Sequence, residues 1–185
     1  MKKFVLLLFV LLLVTGCNAQ PKVDFDQNFS IETYKADMSG YDGLKSVGHR
    51  FLGTTVSQLK KTVDEKGYGI FVLSRTDCPH CQQLMKLMNQ VAEEYDTYIY
   101  YINALSDKYP ILDTDDYELL YDLMWDAMDK IDGVKQLQTP TLFTIIDGKV
   151  VSYKVGATWK GLDYEQSDID NILKIYREMM EPFKK

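Results

Sequence analysis

Two thiols stand two residues apart in Cys78-Pro79-His80-Cys81, directly after the apolar run Gly69-Ile70-Phe71-Val72-Leu73 and before a helix-forming stretch from Gln82 to about Glu94. Strand, CxxC and helix in that order put the first cysteine at a helix N-terminus. Unpaired backbone N–H groups and the helix dipole stabilise a thiolate there. A free cysteine titrates near ~8.5, and such a setting lowers that to roughly 3.5–7.5. A thiolate of this kind attacks disulfides, and a second cysteine one turn later resolves the mixed disulfide. Cys78 is therefore the expected nucleophile and Cys81 the deeper, resolving thiol. The competing use of a CxxC pair is zinc, which needs four ligands. With His49 and His80 the only histidines and no second CxxC, no metal is expected. Pro79 suits the first helical position, where a missing N–H costs nothing. His80, between the thiols, favours the thiolate through its ring or local dipoles. Asp77 opposes it by like charge, and Arg75 can offset Asp77.

The elements that must hold this pair can be read from periodicity. Thr54 to Lys66 predicts a helix with Val56, Leu59 and Val63 on one face and Gly67 as the residue past its end. Pro79–Glu94 places Leu84, Leu87, Met88 and Val91 on one side. Thr97 to Ala104 predicts a strand, and Asp115 to Lys130 a helix with Leu119, Leu120, Leu123, Met124, Ala127 and Met128 inward. Thr141–Asp147 and Val150–Val155 flank an Asp-Gly turn signal and predict a hairpin. Ser167 or Asp168 is placed to cap a final helix to about Met180. Residues 29–53, with scattered glycines and aromatics, predict an irregular extension with one short strand near Ser46–Leu52.

The N-terminus reads as an export signal. Met1-Lys2-Lys3 is followed by an apolar run from Phe4 to Val14, too short to span a bilayer comfortably but right for a signal peptide core. Val14-Thr15-Gly16-Cys17 resembles a bacterial lipobox, which implies cleavage before Cys17 and a lipid on that cysteine. Removal of Lys2 and Lys3 would take the formal charge from −6 to −8. An acidic chain without a basic cluster is a poor nucleic-acid binder, and attachment to a membrane would depend on the lipid. The expected organisation is a signal peptide at 1–16, a tether and extension at 17–54 and one domain at 55–185. Of three cysteines, lipidation takes Cys17 and leaves Cys78 and Cys81 as one pair. Closing so short a loop constrains the unfolded chain little, which argues for redox use and against stapling.

The order helix, strand, CxxC helix, strand, helix, hairpin, helix resembles the thioredoxin-like family over roughly Thr55 to Pro182. Cys78-Pro79-His80-Cys81 matches its active-site loop, with the dipeptide best known from the DsbA group. Gln138-Thr139-Pro140-Thr141 matches the loop whose proline is cis, and Asp147-Gly148-Lys149 with Val155-Gly156-Ala157 resembles the closing hairpin. Overall the chain resembles bacterial thioredoxin-like lipoproteins. A looser likeness to bacteriocin transport accessory proteins rests on Arg75-Thr76-Asp77 before the CxxC. The resemblance implies an α/β fold with a central sheet flanked by helices, and a substrate-binding edge at Thr139 and Pro140.

Two positions depart from that pattern. The buried acid usual six residues before the first cysteine is Val72, which leaves proton handling at Cys81 to water or another group, with Asp77 or Arg75 as candidates. The usual aromatic before the first cysteine is Asp77. The expected function is extracytoplasmic thiol–disulfide exchange on exported cysteine-containing proteins, leaning towards oxidation or isomerisation and recycled by a membrane electron-transfer partner. No cofactor beyond the Cys78–Cys81 couple is implied. An envelope reductase and a non-catalytic lipoprotein that holds a secreted peptide or transporter are the alternatives.

Overall fold

A computed structural model describes residues 29–44, 48–104, 114–128, 130–156 and 161–185. Cys17 and the expected signal peptide and tether, all within residues 1–28, lie outside the described residues. Six strands form one mixed sheet: β1 (Tyr34–Lys35), β2 (Phe51–Gly53), β3 (Gly69–Ser74), β4 (Ile99–Asn103), and β7 (Thr141–Ile146) with β8 (Lys149–Val155). The spatial order is β1-β2-β4-β3-β7-β8. The pairs β2/β4 and β3/β4 are parallel, whereas β1/β2, β3/β7 and β7/β8 are antiparallel. A separate hairpin joins β5 (Lys130–Ile131) to β6 (Val134–Lys135). The helices are α1 (Val56–Asp64), α2 (Pro79–Glu94), α3 (Thr114–Leu123) and α4 (Gln166–Met180). The α/β architecture implied by the family resemblance, a central sheet flanked by helices, is the one observed.

Side-chain alternation along β3 divides the interior into two layers. Ile70 and Val72 face a core shared with Leu84, Met85 and Met88 of α2 and Ile172, Tyr176 and Met180 of α4. Phe71 and Leu73 face the other way, against Leu59 of α1 and Leu120 of α3. All six residues of β3 are buried, as expected of a central strand covered on both faces.

The structure differs from the sequence reading in four places. The segment before residue 55 is not merely irregular: β2 joins the main sheet beside β4, and Ala36, Met38, Tyr41, Leu44 and Phe51 enter the α2/α4 core. The acidic helix ends at Leu123, is followed by a 3-10 turn at Trp125–Ala127, and does not reach Lys130. Asp132 and Gly133, both at positive φ (50° and 83°), turn the chain back as a hairpin instead. Glu165 caps α4, and Asp168 sits three residues in, its carboxylate accepting the Glu165 N–H at 3.3 Å.

The end of α1 is the fourth difference. Lys66, not Gly67, takes the left-handed position (φ 54°), and Gly67 N–H donates to the Thr62 carbonyl at 2.7 Å. Asp96 (φ 47°) and Thr97 close α2 in the same way. Gly67 is needed for space: a Cβ there would lie 2.1 Å from the Phe29 ring. Its carbonyl accepts the N–H of Gly148 in the β7–β8 turn at 2.9 Å.

Gly148 combines φ 70° with a close approach that would put a Cβ 2.4 Å from the Val63 carbonyl oxygen. The obstacle is backbone and cannot rotate away. Gly148→Ala is expected to cost more than about 2 kcal/mol, seen as a lower urea midpoint with an unchanged slope.

Candidate functional site

The chain leaves the C-terminal end of β3 at Ser74, turns through Arg75-Thr76-Asp77 and enters α2 at Pro79. Cys78 is the N-cap, with extended backbone (φ −91°, ψ 116°), and its sulfur accepts the Cys81 backbone N–H at 3.3 Å. A sulfur here takes the place usually held by a Ser or Asp oxygen and receives one of the otherwise unpaired N–H groups of the first turn. Pro79 fills the first helical position. The same geometry that caps the helix directs a backbone donor at the Cys78 sulfur.

The second wall of the site comes from the loop that enters β7, the strand paired directly with β3. The peptide bond Thr139-Pro140 is cis, and Cys78 Sγ donates to the Thr139 carbonyl at 3.4 Å. Thr141 Oγ1 donates to the Gln138 carbonyl at 2.8 Å, and the Gly156 N–H to the Pro140 carbonyl at 2.7 Å, which fixes this loop to its own hairpin. Both cysteines are free thiols. Cys78 is 9 % exposed and Cys81 0 %, so Cys78 stands less open to solvent than its position at a helix start suggests. Burial above all pushes the Cys81 thiol up to about 12; the Arg75 backbone and the Ser74 hydroxyl pull the other way.

Arg75 and Asp77 do not reach Cys81 with their charges. The guanidinium holds the Asp77 carboxylate through two bonds at 2.7 and 3.1 Å on the surface, both side chains about half exposed. Asp77 thereby carries its own counter-charge beside the site. His80 Nδ1 lies 3.2 Å from the Tyr164 hydroxyl.

Tyr164 is a site residue that sequence reasoning missed. Its phenol is raised above the usual range, first by burial and then by the neighbouring charge of Cys78. It reaches the site because the segment ahead of α4 folds over α2, where Gln83 Nε2 donates to the Leu162 carbonyl at 3.0 Å. Nothing local in Leu162-Asp163-Tyr164 signals this, since the contact spans 84 residues. Ser74 was missed too, although it was within reach: it lies two residues after Val72, hence on the same face of β3 and nearer the cysteines. Gln82 ties the N-terminal segment to the site, its amide donating to the Gly40 and Thr76 carbonyls and accepting the Asp42 N–H at 2.7 Å.

No protein-family model matches the chain, and no curated protein is similar to it. Among solved structures, it is similar to a thioredoxin from Trypanosoma brucei brucei, with 13% identity over 75% of this chain and 98% of the other and a TM-score of 0.44. A putative oxidoreductase with a thioredoxin fold aligns at 15% identity over 66% of this chain and 93% of its own, TM-score 0.43. Thioredoxin O2 from Arabidopsis thaliana aligns at 12% identity over 74% and 96%, TM-score 0.42.

The thiolate is the reactive form of a cysteine, so the two thiols should separate in an alkylation series across pH. Iodoacetamide followed by peptide mapping is expected to label Cys78 first. Cys81 should stay unlabelled from neutral into mildly alkaline solution, because its thiolate forms only as pH climbs towards about 12. Preferential labelling of Cys81 at neutral pH would reverse the assignment.

Proposed function

We propose that this protein is a thiol–disulfide oxidoreductase on a thioredoxin-like scaffold, working outside the cytoplasm from a lipid anchor at Cys17. The observation that carries the reading is the position of the Cys78 sulfur. It sits at the N-cap of α2, on the Cys81 N–H, 3.4 Å from the Thr139 carbonyl ahead of Pro140. A non-catalytic scaffold needs neither thiol in that place.

In the oxidising direction a substrate thiolate attacks Cys78 Sγ of the Cys78–Cys81 disulfide. The S–S bond breaks, its electron pair leaves on Cys81, and a substrate–Cys78 disulfide forms. A second substrate thiolate then attacks the substrate sulfur and leaves Cys78 reduced, so the substrate loses two electrons and the enzyme gains them. Run backwards, the same steps reduce a disulfide. The Thr139-Pro140 edge is the natural place for an extended substrate segment, which pairs with backbone as an added strand would. The Pro79-His80 dipeptide inclines the couple towards oxidation or isomerisation of exported proteins. A membrane electron-transfer partner resets it, and sulfur alone carries the electrons.

The decisive experiment is substrate trapping. Cys81→Ser leaves Cys78 able to attack and nothing to resolve the adduct, so cells producing this variant should accumulate disulfide-linked partners that reductant releases. If it recovers no more than the Cys78→Ser/Cys81→Ser double variant, the scaffold reading replaces the enzyme reading. Glutathione redox titration of the wild-type couple assigns direction, a strongly reducing midpoint favouring the reductase.

The anchor is tested separately. Cys17→Ala is expected to release the protein from membranes, and the mature chain should begin at residue 17 with a lipid adduct in its intact mass. A mature chain of that start with no adduct would remove the anchor and leave the thiol chemistry untouched.

A further inference from the structure

Beneath the two cysteines lies a row of hydroxyl groups that no step above uses. Ser74, Tyr41 and Tyr101 are all buried in the α2/α4 layer, at 0 %, 1 % and 3 % exposure. The Tyr41 hydroxyl donates to Ser74 Oγ at 3.0 Å and stands 3.0 Å from the Tyr101 hydroxyl. Ser74 lies on the Val72 face of β3, in the layer that also holds Cys81, and its hydroxyl works against the upward push that burial gives the Cys81 thiol. Each hydroxyl has a single proton. Tyr41 gives its proton to Ser74, so it accepts from Tyr101. Ser74 accepts from Tyr41, so its own proton is free for sulfur. The donors therefore run in one direction, Tyr101 to Tyr41 to Ser74, each bond polarising the next, and leave the Ser74 proton for the layer that holds Cys81.

We propose that Ser74, oriented by Tyr41 and Tyr101, stabilises the Cys81 thiolate and so serves the resolving cysteine where a buried carboxylate is lacking. This rests on the oxidoreductase reading and assigns a residue to its second step. Val72 and Ser74 share one face of β3, and Val72 can do nothing for a charge. The groups facing Cys81 are Cys78 on its own helix, Tyr41, Tyr101 on β4 and Tyr176 on α4, with the Arg75 backbone at the end of β3. No carboxylate or ammonium is among them. A thiolate formed there depends on hydroxyl and N–H donors.

When Cys81 resolves a mixed disulfide, its S–H proton is lost to water and the thiolate accepts the Ser74 O–H. Its electron pair then forms the bond to Cys78 Sγ. The Cys78–substrate bond breaks with its pair on the substrate sulfur, which takes a proton from water. In the reverse direction Cys81 is the leaving group, and the same hydroxyl receives it.

The test uses the reduced full chain carrying Cys17→Ser, so that only Cys78 and Cys81 report, mixed with the aromatic disulfide DTNB in a stopped-flow spectrometer. The first thionitrobenzoate released reads attack by Cys78, and the second reads attack by Cys81 on the adduct. Ser74→Ala should leave the first phase unchanged, slow the second about tenfold at neutral pH, and move its pH profile upward. Tyr41→Phe, which removes one oxygen and keeps the ring, should slow the same phase by less. A second phase equal to wild type across pH in Ser74→Ala overturns the assignment. Should that variant not fold, an unchanged second phase in Tyr41→Phe does so. If the wild-type chain releases only one equivalent, the exchange reading itself fails and this inference falls with it.

Discussion

The sulfur of Cys78 accepts the N–H of Cys81, and the rest of the reactive end is arranged around that one bond. The bond closes the first turn of α2, so the fold's need to satisfy a helix terminus and the need to hold a thiol in place are met by the same atoms. It requires β3 to stop at Ser74 and the chain to turn within three residues, and Pro79 makes the turn by starting the helix with no N–H to waste. It also sets the direction of the sulfur, which lies on the Thr139 carbonyl at the entry to the neighbouring strand β7. With Cys78 fixed at the N-cap, Cys81 falls on the inner face one turn later, where it is wholly covered.

Covering a thiol completely has a cost for the proposed exchange, because burial penalises the thiolate charge. The N-terminal segment supplies the polar groups that work against it. Residues 36–44 pass over the C-terminal end of β3, with Gly40 so close to Thr76 that a Cβ would lie 2.8 Å from its methyl group. Gln82 holds that crossing from the α2 side. Tyr41 is thereby delivered into the core, its ring edge-on to Tyr101 at 6.1 Å and its hydroxyl on Ser74. What reads as a loose extension in the sequence is part of the interior beneath the thiols.

The legible parts of the sequence were those governed by short-range rules. The CxxC helix begins and ends where Pro79 and the apolar spacing of Leu84, Met88 and Val91 put it. The Asp147-Gly148 turn takes the two positive φ values its composition demands. The same signal at Asp132-Gly133 was masked by the helical pattern running into it. Lys66 and Asp96 take left-handed positions that glycine usually fills, so no composition rule points to them. Tyr164 and Tyr41 are invisible to local reading for another reason. Their roles come from contacts across 84 and 33 residues, made by segments whose own composition says only that they are not regular.

α2 is held at both of its ends by the chain that leads into and forms α4. Near its start, Gln83 and His80 meet Leu162 and Tyr164; at its finish, Glu94 grips Arg177 through two bonds at 2.8 and 3.0 Å. The two sulfurs belong to residues three apart on one turn, a spacing at which side chains already neighbour each other. Joining or parting them is then a matter of side-chain rotation inside a stationary frame. If the pair works as proposed, this frame gives a partner little to recognise besides the sulfurs themselves, and the oxidised and reduced forms would have to be told apart there, by chemistry.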